Sequence, residues 1–404
     1  MLPRARLFLC GCFLALSTLI RIGYAEPHAD LCALSGVALK HASALRGLSI
    51  MKPVPCSVQD QKAVQAFIEA TIKRDLAPQK LEMEQTAFRA IGMIPDDYDY
   101  AKSLVQFLVS QLGGYYDPRE KRFVMAAWLP LITQETVAVH ELTHALQDQH
   151  YSLDKFIDPK SDTSDQSLAH SALIEGDATA VMFDNEKRQN GLPPLSADES
   201  IDSIILQQVL GMNVGGQGDV PDSLKAILVF PYTSGLRFVH AILRRGGYKA
   251  LDAVYRAPPS SSREILHPDE YLAHSAQLQI PAPHDVPGAA PDRAPEYTDV
   301  LGEFSISSLF ANSTKTRARG VQAAVGWLGD RLAIFPKNSA GREVVWMTRW
   351  QSDADATEFY ETYREFIQER YGISVAHERK DLTPTKSLLI ERDARTVVIR
   401  VVNR

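Results

Sequence analysis

Val137-Ala138-Val139-His140-Glu141-Leu142-Thr143-His144-Ala145-Leu146 is the stretch on which the reading of this chain turns. From Thr136 to Gln149 there is no Pro and no Gly, so a continuous helix is expected. Residues four apart on a helix return almost to the same face, which leaves His140 and His144 about 40° apart. Two imidazoles so placed can share one metal ion, and zinc accepts such nitrogens at about 2.0–2.1 Å. Glu141 falls in the neighbouring sector, within reach of a water held at that ion, whose proton it could take. Val137, Leu142 and Leu146 are apolar, and Thr143 puts no charge between Glu141 and His144. A buried amphipathic helix with two hydrogen-bonded histidines has the same letters; the uncharged surroundings favour a metal.

A catalytic zinc takes three protein ligands and leaves a fourth position to water. Glu175 is one candidate for the third, in Ala172-Leu173-Ile174-Glu175-Gly176-Asp177-Ala178-Thr179 on a second helical run expected from Gln166 to Arg188. An acid flanked by apolar residues is costly to bury unless paired or metal-bound. Gly176 and Ala178 are small enough to let this helix lie close to the first. His150 is a rival, ten residues after His140. That spacing occurs in H-E-x-x-H-x-x-G-x-x-H sites, but Gln147 stands where the helix-breaking Gly belongs. An unbroken helix turns His150 about 120° away from His144. His170 is a third option. Glu175 is the expected ligand.

H-E-L-T-H, followed by L-I-E-G-D-A, resembles the gluzincin group of zinc metallopeptidases over roughly residues 110–185. The resemblance implies a zincin-like domain that cleaves peptide bonds in a peptide or protein substrate, with Zn2+ held by His140, His144 and Glu175 and Glu141 as general base. In the large zinc aminopeptidases of this group, a Tyr at a comparable distance from the third ligand donates to the tetrahedral intermediate. Tyr232 is the candidate here, and His267 could do the same, since the developing negative charge needs a donor. The stretches Phe230–Gly235 and Leu266–Tyr271 are similar to those of secreted bacterial proteins with zincin-like helices. Gly113 to Met125 is expected to be strand, turn and strand, opened at Asp117-Pro118. The resemblance makes such a strand the place where an extended substrate pairs.

The rest of the chain sets the context. Met1 to Arg6 is basic, Leu7 to Ile20 apolar, and Gly23-Tyr24-Ala25 a small-x-small end; these describe a signal peptide over 1–25. The run is short for a membrane span, so no stable span is expected after cleavage, and the location is periplasmic or secreted. The formal charge of −6 becomes more negative once Arg4, Arg6 and Arg21 are removed, which argues against a nucleic-acid partner. Cys32 and Cys56 then remain as an even pair, expected to form one disulfide.

Asp60–Arg74 and Asp97–Leu112 have helical periodicity and are expected to pack around the metal helix. Gly211 to Gly218 is glycine-rich without a P-loop lysine, hence a loop. Pro231 is expected near a helix start. Five prolines between Ile280 and Glu296 suggest a boundary. Beyond it, Arg331–Pro336 and Arg342–Trp350 are expected strands, Asp353–Tyr371 a helix, and Lys386–Arg404 a hairpin around Asp393-Ala394. The expected fold is therefore α+β. A mainly helical zincin-like domain with a small edge sheet (26–295) precedes a small α+β domain without a chemical motif (296–404). A non-catalytic envelope binding protein on a zincin scaffold is the alternative function.

Overall fold

The computed structural model describes residues 32–75, 78–111, 113–156, 163–211, 220–375 and 378–404. The expected signal peptide and the glycine-rich stretch 212–218 lie outside the described residues. The chain folds as mixed α+β, with a three-stranded sheet among helices and a six-stranded antiparallel sheet near the C-terminus.

The first part begins with α1 (Ser35–Arg46), β1 (Cys56–Gln59), α2 (Gln61–Asp75), α3 (Pro78–Ile91) and α4 (Tyr100–Gln111). It continues with β2 (Gly114–Asp117), β3 (Arg122–Ala126), α5 (Leu131–Tyr151) and α6 (Ser164–Gln189). As expected, β2 and β3 form a hairpin. Asp117 Oδ1 accepts from the Arg119 and Glu120 amides at 2.9 and 3.3 Å and so shapes the turn. β3 is central, parallel to β1 and antiparallel to β2, which leaves β2 on an edge. The period of two sorts its side chains. Phe123 and Met125 pack under α1 and α5, while Val124 joins Tyr115 beneath α2. The Cys32–Cys56 disulfide ties the start of α1 to β1, bearing out that pairing.

One packing expectation is corrected. α2 meets the sheet through Val64, Ile68 and Ile72 on the face away from α5, so it does not surround the metal helix. α3 instead places Ala87, Phe88 and Ile91 in the core of the C-terminal sheet. The Tyr363 hydroxyl donates to Ile91 O at 3.1 Å across that junction.

Further along come α7 (Asp202–Gly211), α8 (Asp222–Arg256), α9 (Ser262–Leu266) and α10 (Pro268–Leu272). Pro231 does not start a helix; α8 begins at Asp222 and carries Pro231 inside it. Its missing N–H removes one helical bond, and Thr233 Oγ1 donates to the nearby Val229 O at 3.1 Å. α8 breaks at Gly246-Gly247, where Gly247 has φ 60° and ψ −163°, a conformation essentially reserved for glycine. Among the described residues α8 is the one helix long and apolar enough to cross a membrane; here it is a core helix packed on α6.

The last part contains β4 (Tyr297–Asp299), α11 (Gly302–Leu309), α12 (Gly320–Ala324), β5 (Trp327–Ile334), β6 (Arg342–Trp350) and α13 (Asp353–Tyr371). β7 (Lys380–Thr383), β8 (Lys386–Asp393) and β9 (Thr396–Asn403) complete it. The sheet order is β4-β5-β6-β9-β8-β7, with every neighbour antiparallel. Ser352 caps α13 in a reciprocal box with Asp355, and Gly372 ends it at φ 70°. β4, β7, α11 and α12 have no strong periodicity in the sequence and were not expected.

Candidate metal centre

α5 runs unbroken through the motif, and His140, Glu141 and His144 are all buried. The helix phase brings the two imidazoles together, with His140 Nε2 and His144 Nε2 3.1 Å apart. Glu175 comes from α6. Its Oε2 lies 3.2 Å from His140 Nε2 and 3.5 Å from His144 Nε2. Three donors on a tetrahedral ion with bonds of about 2.0–2.1 Å would stand about 3.3 Å apart, and the three observed separations bracket that value. No other group of three or more His, Cys, Asp or Glu among the described residues converges in this way.

The protonation states suit ligands. Burial pushes the His140 imidazole down, against the pull of Glu175. Burial pushes Glu175 up, but His144 and His140 outweigh it and hold the carboxyl at about 2. A neutral imidazole and an ionised carboxylate are the forms that coordinate a metal.

The small residue beside Glu175 acts differently from the sequence expectation. A Cβ on Gly176 would lie 2.3 Å from Gly235 O, and one on Gly235 would lie 2.2 Å from Ala172 O. The glycines therefore let α6 approach α8, not α5. That contact carries Tyr232, three residues before Gly235, to the cluster; its ring centroid is 6.4 Å from that of His140. Glu141 Oε2 accepts from the Tyr116 amide of edge strand β2 at 2.9 Å. One carboxylate oxygen is thus oriented by the strand next to the cluster.

The other sequence candidates lie elsewhere. His150 faces away, as an unbroken α5 requires, with Nε2 2.8 Å from Ser49 O. His170 bonds to Phe156 O. His267 does not join the site: its Nε2 is 2.8 Å from Glu303 Oε1, which raises its pKa. Ser262, at the start of the same segment, donates to Asp165 in the first turn of α6, about 15 Å of helix rise from Glu175. Asp148, one turn beyond His144 on α5, is engaged by Tyr116 Oη at 2.8 Å and Lys121 Nζ at 2.6 Å.

Behind the cluster lies a buried polar network that the motif did not disclose. Gln147 Oε1 is 2.8 Å from His144 Nδ1. Gln147 Nε2 donates to Asp177 Oδ2 at 3.0 Å and to Ile174 O at 3.1 Å. Arg46, the last residue of α1, places Nε 2.8 and 3.0 Å from the two Asp177 oxygens. Asp252 and Tyr255 complete the surroundings. Burial pushes the Arg46 guanidinium down, but Asp177 and its neighbours more than reverse this. The one sequence signal was Asp177, an acid in an apolar run that needed a cation; nothing local pointed to Arg46.

Residues 292–404 are similar to a family described as Domain of unknown function (DUF8575). That stretch holds β4 to β9 and none of the metal cluster. No curated protein and no solved structure matches the chain.

Proposed function

We propose that the protein is a zinc-dependent peptidase of gluzincin type, exported to the periplasm or beyond. The observation that carries this is the convergence of His140, His144 and Glu175, whose ligand atoms all lie within 4.8 Å of one another, with Glu141 adjacent on the same helix. Two imidazole nitrogens and a carboxylate form a donor set of catalytic zinc sites. Zinc, when bound, supplies Lewis-acid polarisation of the scissile carbonyl and of water.

The chain's own residues supply the rest. Glu141, steadied by the Tyr116 amide, takes the proton of the attacking water and passes it to the leaving amine. Tyr232, held beside His140 by the Gly176–Gly235 contact, donates to the oxygen on which charge develops. β2 is the edge strand beside the cluster and, in this reading, the element with which an extended substrate pairs once the Tyr116 amide is released from Glu141. The Cys32–Cys56 disulfide and the basic-then-apolar N-terminal sequence support export.

One observation favours the second reading, a non-catalytic envelope protein on the same scaffold: Glu141 has 0% exposure. Both are tested by hydrolysis of casein or a peptide library with wild type and Glu141→Gln, with and without chelator. The peptidase reading expects zinc retained in the variant and at least about a 100-fold loss of hydrolysis. An equally active variant removes Glu141 as the base. A zinc-loaded wild type that cleaves nothing leaves the binding-protein reading standing.

A further inference from the structure

We propose that α1 belongs to the metal centre, with Arg46 a positioning residue that acts on His144 through Asp177 and Gln147. This rests on the metal reading above. The proton logic runs inward from the arginine. Arg46 can only donate, and its Nε lies 2.8 and 3.0 Å from the two oxygens of Asp177. Both side chains have 0% exposure, so water does not compete for this pair. Asp177, kept as an acceptor, takes a hydrogen bond from Gln147 Nε2 at 3.0 Å, and Ile174 O takes another at 3.1 Å. Two acceptors on the amide nitrogen fix which way round the Gln147 amide sits. Its oxygen must then face His144.

That oxygen carries no proton, so His144 Nδ1, 2.8 Å away, has to donate. A neutral imidazole with its proton on Nδ1 has its lone pair on Nε2, and Nε2 is the atom that faces His140 and Glu175. The relay therefore selects the ligating tautomer before any metal arrives. His140 has no such support: its Nδ1 is buried with no hydrogen-bond partner among the described residues. The two histidines of one motif are held differently, and the pinned one depends on a helix 131 residues upstream of Asp177.

α1 is itself held in place. Ala38, Leu39 and Ala42 pack in one core with Ala138 and Leu142 of α5. Gly47, at φ 77°, ends the helix immediately after Arg46. The disulfide joins its other end to β1. Arg46 also bonds Asp252 at 2.7 Å, a contact that lies off the path to His144 and so provides a control.

The test combines zinc affinity, measured by chelator competition, with histidine 15N spectra of the metal-free protein. Wild type, Gln147→Met, Arg46→Met and Asp252→Asn are compared. The relay predicts that Gln147→Met and Arg46→Met weaken zinc binding about 10–100-fold, and that Asp252→Asn stays within about 3-fold of wild type. It also predicts Nδ1-protonated His144 in wild type and loss of that preference in Gln147→Met, a signature that a purely structural role would not move. Arg46→Met strands a buried carboxylate and can fail to fold; Gln147→Met breaks the same relay without leaving a charge. Equal zinc affinity in wild type and Gln147→Met overturns the relay, as does an unchanged tautomer. A wild type that binds no zinc overturns the metal reading instead, and the tautomer spectra still decide the relay.

Discussion

The interior around α5, α6 and α8 and the interior of the C-terminal sheet are built on opposite terms. The first buries charge: His140, Glu141, His144, Glu175, Asp177 and Arg46 are all buried within one helical layer. Each such group costs free energy unless paired; here Arg46, Asp177, His144, His140 and Glu175 are linked in a chain through Gln147, and Glu141 accepts from the Tyr116 amide. The second buries aromatic surface. Phe359 of α13 stacks on Trp350 with centroids 4.8 Å apart and meets Trp346 edge-on at 5.7 Å. Its buried charges are fewer on this face and individually hydrogen-bonded; Asp330 accepts from the indoles of Trp327 and Trp346 at 3.2 and 3.0 Å. A core that is merely stable can be made of apolar residues alone. A core that carries six such polar groups must pair them, and a metal centre of the proposed kind would account for three of them.

If that contrast is right, the two interiors should fail differently. The largest effect is expected at Glu175→Ala. Zinc content, measured on purified protein, should fall from about one per chain to near zero, since two histidines alone give an incomplete site. His150→Ala should leave it unchanged. The reverse pattern would exchange the two assignments.

Phe359→Ala should do the opposite. Removing a buried aromatic costs about 3–5 kcal/mol of stability, read by denaturant unfolding, while the folded fraction keeps its zinc. Loss of zinc from protein that remains folded would show that the two regions are coupled more tightly than their separate cores suggest.

A smaller effect is expected where the metal region depends on close backbone approach. Gly235→Ala places a methyl group 2.2 Å from Ala172 O, and α6 and α8 must separate. Overpacking of this kind costs about 1–3 kcal/mol. Unfolding of the zinc-free protein measures it without the metal's contribution. A variant as stable as wild type would mean that the helices part without penalty.

The last effect lies at the seam between the regions and is read from a pH slope, not from a single loss. Asp165, in the first turn of α6, accepts from the Ser262 amide at 2.9 Å, and its own amide donates to Val300 O. Burial pushes its carboxyl up to about 7, against the hydrogen bonds from Ser261 and Ser262. The folded chain therefore holds a proton that the unfolded chain releases near pH 4. Its contribution is fully present below about pH 4 and is lost as the pH rises to about 7. Asp165→Asn removes this titration, so the thermal midpoint should fall less steeply with pH across that interval than in wild type. Parallel slopes would place the dependence on other groups.

The sequence alone determined what local spacing can determine. A four-residue interval on an uninterrupted helix puts His140 and His144 on one face whatever surrounds them. Runs of β-branched and aromatic residues foretold β6, a turn at Asp393-Ala394 foretold the β8–β9 hairpin, and 3.6-residue periodicity foretold α13 from Asp353 to Tyr371. Tertiary structure decided the rest. It brought Glu175 to the two imidazoles, while His150 is turned to Ser49 O and His170, on the same helix as Glu175, faces Phe156 O. It carried Tyr232 to His140 where α8 passes close to α6 at Gly176 and Gly235, and it left His267 with Glu303. It turned α2 to the face of the small sheet away from α5 and placed α3 in the C-terminal core. Above all, it joined Arg46 to Asp177 across 131 residues. Periodicity records which face of an element is buried, but it does not record which distant element buries it.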